Sequence, residues 1–208
     1  MIKTILLIIA PIRTWDGILL ARRSIGFILR TFLLPLMLLS CAVEGFGLVR
    51  WGKWQGEVPH MVHFTPGQAV MFEALQFIVL FILVVLNAGL LKSSSGTFHG
   101  RQTFEQGFRA IAYGMGPFFL LRCLNAFSDV SPWVSWVLGI LLTLSVLYHG
   151  VPKIMDPDPA HAFGLYVVTC LLLLFTTGLL QLITSLCLKG EFPKLMTLIS
   201  DLGARLPF

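Results

Sequence analysis

Long apolar runs recur from one end of the chain to the other, and five of them reach the roughly 20 helical residues that a bilayer core demands. They extend from about Ile25 to Leu48, Gln68 to Leu91, Gly107 to Phe127, Pro132 to Tyr148 and Ala162 to Leu188. At these lengths only helices make sense, because a helix satisfies its backbone polar groups within the segment. The fourth run is the shortest, and Trp133 and Trp136 at its start suit an interfacial belt. Ahead of the first run, Ile12, Trp15, Ile18, Leu19 and Arg22 keep a helical period behind Pro11. This predicts a short helix over Pro11 to Arg23 lying in the membrane interface, the alternative being a plain extension of the first span. The expected fold is therefore all-α, a polytopic transmembrane helix bundle of five spans with an N-terminal interfacial helix. Residues 1–24 are expected as the interfacial segment, 25–188 as the bundle and 189–208 as a short tail.

Composition sharpens the picture. Of the 208 residues, 56% are hydrophobic and only 12% charged, which excludes a disordered chain, a disulfide-stapled module and an ordinary soluble enzyme. The net charge of +5 does not point to nucleic acid, because the basic residues sit mostly between apolar runs, where membrane topology explains them. With five spans, one side holds Lys3, Arg13, Arg22, Arg23, Lys92, Arg101, Arg109 and Lys153. The other holds Arg50, Lys53, Lys189, Lys194 and Arg205. That bias predicts a cytoplasmic N-terminus and a C-terminus outside. The apolar stretch Ile5 to Ala10 runs into Pro11, Arg13, Trp15 and Asp16 rather than into small residues, so signal cleavage is not expected. Cys41, Cys123, Cys170 and Cys187 show no metal or redox spacing and read as small hydrophobes. The loops Val49–Gly67 and Lys92–Gln106 are too short to bury cores of their own.

Charges inside a span are expensive and usually face a partner. Glu44, Glu73 and Arg122 fall at matching depth, roughly 6–9 Å below the outer boundary at 1.5 Å per residue. Arg122 is expected to contact Glu73 first, with Glu44 as second choice. On the second span Glu73, Gln76 and Asn87 lie within about 60° on a helical wheel, giving one polar stripe toward the bundle. The stripe reads as interhelical bonding that fixes packing, or as part of a polar path. Arg30 sits one and a half turns into its span and snorkels toward headgroups, and with Arg22 and Arg23 it forms a basic collar for anionic lipid. Small residues recur at Ser135, Gly139 and Thr143 and at Ala110 and Gly114, marking close packing within the bundle. Gly114, Gly116 and Pro117 should bend the third span near its middle.

Chemistry is sparse. His149, Asp156, Asp158 and His161 share the fourth loop, but Pro152, Pro157 and Pro159 favour an extended turn over a converging metal site. His60 and His63 offer less. No GxSxG, HExxH or phosphate-cradling glycine loop occurs, so neither catalysis nor a cofactor is expected.

Some segments are familiar. Pro11-Ile12-Arg13-Thr14-Trp15-Asp16-Gly17-Ile18 opens the chain ahead of a basic stretch. Arg109-Ala110-Ile111-Ala112-Tyr113-Gly114-Met115-Gly116-Pro117 lies in the third span, and Leu147-Tyr148-His149-Gly150-Val151-Pro152 ends the fourth before Ala160-His161-Ala162. This order resembles the Yip (Ypt-interacting protein) membrane family over roughly Pro11 to Leu188. The resemblance implies a non-enzymatic five-helix bundle with a cytoplasmic N-terminus. Eukaryotic members are linked to Rab-type GTPases and to traffic between endoplasmic reticulum and Golgi. This sequence lacks their long leading cytoplasmic segment and is more similar to compact bacterial members, so GTPase binding is not carried over. The expectation is a Yip-like protein of a bacterial inner membrane that organises lipid, a membrane-protein partner or its own oligomer. The rival is a small transporter or channel component using the polar stripe.

Overall fold

A computed structural model describes residues 2–55, 60–97, 103–189, 197 and 201–202. It is helical almost throughout. Helix α1 (Ile2–Ile9) and helix α2 (Pro11–Ala21) precede α3, a long helix over Ile25–Arg50. A two-stranded antiparallel hairpin, β1 (Lys53–Gln55) with β2 (His60–Val62), leads to α4 (Pro66–Thr97). Then come α5 (Phe104–Gly114) and α6 (Gly116–Arg122), a single 3-10 turn at Cys123–Ala126, α7 (Pro132–Met155) and α8 (Ala162–Lys189).

Four helices, α3, α4, α7 and α8, are long and apolar enough to cross a membrane. The expected third span is built differently. Its helix breaks at Met115, whose backbone leaves the helical region (φ −78, ψ 0), and Gly116 and Pro117 start a new helix behind it. Neither half reaches membrane length alone. Every residue from Gly107 to Phe119 is buried, so this segment runs through the middle of the bundle and not along its lipid-facing rim. Enclosed by protein and not by lipid, it can hold Arg109 and Tyr113, the arginine bonding the Arg23 carbonyl.

Small residues allow the others to close around it. A Cβ on Gly107 would lie 2.8 Å from the Ala88 carbonyl oxygen of α4, and one on Gly47 of α3 would lie 2.3 Å from the backbone of Ala126. Gly139 of α7 packs on Phe118, and Gly114 of α5 takes the Leu147 side chain, so the small-residue stripes serve internal packing. In α3 a π-helical turn spans Leu29–Leu33, directly ahead of Pro35. Proline has no N–H to donate into the previous turn, and the backbone relaxes its register there.

The N-terminus differs from a flat interfacial segment. Helix α2 forms over the predicted residues and ends where Arg22 turns left-handed (φ 40), which separates it from α3. Helix α1 was not expected as structure. It folds back at Ala10, with the Thr14 hydroxyl donating to the Leu6 and Ala10 carbonyls, and inserts Thr4 and Leu7 among the bundle helices. Thr4 reaches Gly116 and Lys3 lies over the Tyr113 ring, 5.5 Å from its centre. Trp15 of α2 is fully buried against Gly150, and its indole N–H donates to the Val146 carbonyl at 3.0 Å. The interfacial pair is thus half surface helix and half core element. Apart from residues 197 and 201–202, the expected tail beyond Lys189 lies outside the described residues.

Candidate functional site

The most polar place inside the bundle gathers one residue from each of several elements. Arg122 ends α6, where the 3-10 turn begins, and its side chain is buried. Its Nε donates to Glu44 Oε2 of α3 at 2.7 Å, and its Nη2 stands 3.7 Å from Glu73 Oε2 of α4. The order of partners is the reverse of the expected one. Glu44 holds the direct bond because the 3-10 turn swings Arg122 toward α3, whose Gly47 admits that turn at backbone contact. The second Glu44 oxygen accepts from the Asn125 amide at 3.3 Å, and Ser135 of α7 in turn donates to Asn125 Oδ1. Asn125 and Ser135 were not singled out as polar partners. A sequence signal existed, because both lie within a few residues of Arg122's depth on adjoining elements.

The stripe on α4 divides. Glu73 turns to Arg122, whereas Gln76 donates to the Thr184 hydroxyl at 3.4 Å and Asn87 to the Thr176 hydroxyl at 3.0 Å, both on α8. A spread of about 60° at one helix face is enough to reach neighbours on either side. Next to Gln76 a small pocket of about 10 Å³ is lined by Arg122, Asn125, Ser135, Thr177 and Gln181, room for one water. Between Gln76 and Asn87 the buried side chains of α4 itself are the apolar Leu80, Leu83 and Val84, Leu80 bordering the pocket that Thr177 and Gln181 of α8 also line.

The three basic-collar residues have separate surroundings. Arg22 is exposed at the end of α2, and Arg30 is exposed in the π turn. The Arg23 guanidinium covers the Phe27 ring at 4.4 Å, while its backbone oxygen accepts from Arg109 Nη2 at 3.0 Å. At the loop end of α3, Lys53 folds inward and donates to the Phe127 carbonyl at 2.9 Å. Burial pushes its ammonium below the usual lysine value, and the charges of Glu44 and Asp129 pull it part of the way back. The unfolded chain then holds this proton more tightly than the folded one. Stability should rise as pH climbs through the lowered value toward 10.5 and level off beyond it. Thermal melts of the detergent-solubilised protein and of Lys53→Met should therefore differ in slope across that window, the variant being flatter.

Among the described residues no three His, Cys, Asp or Glu side chains converge to hold a metal. His161 pairs with Asp158 at the start of α8, and His63 faces the Val49 carbonyl. His60 has no described side chain.

The family model described as the Yip1 domain matches residues 5–180. This chain belongs to the Yip1 domain family. The match begins inside α1, just after Thr4, and ends inside α8, so Leu7, α2 and the Arg122 cluster all fall within the Yip1 domain. No curated protein and no solved structure matches the chain.

Proposed function

We propose that this Yip1-family protein crosses the membrane five times, with the α5–α6 segment as the enclosed third crossing. It acts without catalysis as a membrane organiser for lipid or partner proteins. The observation that carries this reading is that α4 buries only apolar side chains, Leu80, Leu83 and Val84, between Gln76 beside the Arg122 cluster and Asn87. A polar path needs partners at every depth, and here the charges close on one another and stop. The basic residues favour a bacterial cytoplasmic membrane orientation with the N-terminus inside and the C-terminus outside. Reporter fusions at Ser94 and Phe208 should accordingly fall on opposite sides, and finding both on one side would overturn the five crossings.

Function is tested by reconstitution. Purified protein in vesicles should pass no more ions than protein-free vesicles do. A flux that disappears in both Glu73→Gln and Asn87→Leu would replace this reading with a transport one.

A further inference from the structure

A cavity of about 690 Å³ lies where α2, α5 and α7 meet at the end of the bundle carrying Arg22 and Lys153. Arg22, Arg109, Lys153, Glu105 and Asp156 line it, so charges of both signs face a common space. Most are already occupied. Lys153 pairs with Asp16 of α2, and Arg109 bonds Glu105 at 3.3 Å as well as the Arg23 carbonyl. Arg22 and Asp156 are different. Among the described residues neither forms an ion pair, with the other or with any third group.

Those same two residues are the only non-glycine residues with positive φ among the described ones, Arg22 at 40° and Asp156 at 38°. Each follows the last turn of a helix, α2 and α7 respectively, at the position where glycine or asparagine normally sits. Aspartate tolerates this conformation moderately well, but an arginine bears the full Cβ crowding. Strain of this kind persists where a site needs the side chain. Here it sets an unpaired cation and an unpaired anion on the wall of one cavity. A second cation stands beside them: Arg109 is only 7% exposed, and its buried Nε has no hydrogen-bond partner.

A plain anion in this cavity would meet Asp156 and Glu105, and a plain cation would meet Arg22 and Arg109. A ligand carrying both charges satisfies both. Leu19 and Ile154 add an apolar rim, and the adjoining helix α2 leaves Ile12 and Leu20 exposed beside it, suiting acyl chains. We propose that the cavity binds a zwitterionic group joining a phosphate ester to a primary ammonium, the chemistry of an aminophospholipid headgroup. The phosphate lies toward Arg22 and Arg109, and the ammonium toward Asp156. The inference is independent of whether the bundle conducts.

Delipidated protein in detergent provides the test, by native mass spectrometry and thermal shift. Phospholipids with identical chains and ethanolamine, choline or glycerol headgroups are compared, along with soluble phosphoethanolamine. The ethanolamine lipid should bind about tenfold more tightly than the choline lipid, which has no ammonium N–H to donate to a carboxylate. Arg22→Asn and Asp156→Asn suit the left-handed backbone, so each should keep the lipid-free melting temperature while losing about tenfold in affinity. Competition by soluble phosphoethanolamine supports the chemistry and assigns a free metabolite as occupant. Failure of that competition, with lipid still selective, assigns the membrane source. Preference for the glycerol headgroup, equal binding of all three, or affinity unchanged in both variants would overturn the proposal.

Discussion

Replacing Arg122 alone by leucine should destabilise the bundle by about 3–5 kcal/mol, because Glu44 and Glu73 would then face each other at hydrocarbon depth without a counter-charge. Glu44 is 1% exposed and its side chain bonds both Arg122 and Asn125, so it has no water to turn to. The cation nearest to Glu73 is the Arg122 guanidinium, 3.7 Å away, and a further polar neighbour is the Cys41 thiol of α3. The single variant Glu73→Leu should be milder, since the Glu44–Arg122 bond remains. The informative comparison is the triple variant with Arg122→Met, Glu44→Leu and Glu73→Leu. Removing every charge together takes away the desolvation cost along with the attraction, so most of the lost stability should return. Thermal melts in one detergent measure all three. If the triple variant is worse than Arg122→Leu, the cluster contributes something other than mutual neutralisation.

Trp15→Ala should have an effect of similar size, about 3–5 kcal/mol, through the cavity it leaves under α2. The indole is fully buried although α2 lies on the surface of the bundle, and Gly150 is the residue that makes room for it. A Cβ at Gly150 would lie 2.3 Å from the indole ring, so Gly150→Ala should expel the same side chain from the opposite wall. Trp15→Phe separates the two contributions. It keeps most of the packing and loses the N–H donated to Val146, for about 0.5–1.5 kcal/mol. Limited proteolysis ahead of Arg22 should follow the same order, because α1 and α2 detach together once the tryptophan is gone. Equal resistance in Trp15→Ala and the parent would mean that α1, through Leu7 and Thr4, holds the hairpin without it.

The hydrophobic runs by themselves specified that the chain is a helical membrane protein, and the depth of each charged residue followed from the 1.5 Å helical rise. That arithmetic is local, so residues at a common level, such as Glu44, Glu73 and Arg122, can be read before any packing is known. Direction around the helix axis is not local. Whether Glu73 or Glu44 takes the arginine depended on a 3-10 turn, itself permitted by Gly47 touching the backbone of Ala126. The same limit applies to the α5–α6 segment, whose modest hydropathy is acceptable only because neighbours enclose it. Helix α1 was illegible for a related reason: eight residues, six of them apolar, are too few to span a bilayer, and only the surfaces of Tyr113 and Gly116 decide that they insert. The sequence thus determined the solvent in which the four long apolar helices live, since burial in lipid is a property of single helices. Which side chains meet was decided by the tertiary structure, because contact depends on small residues from distant helices that let two backbones approach.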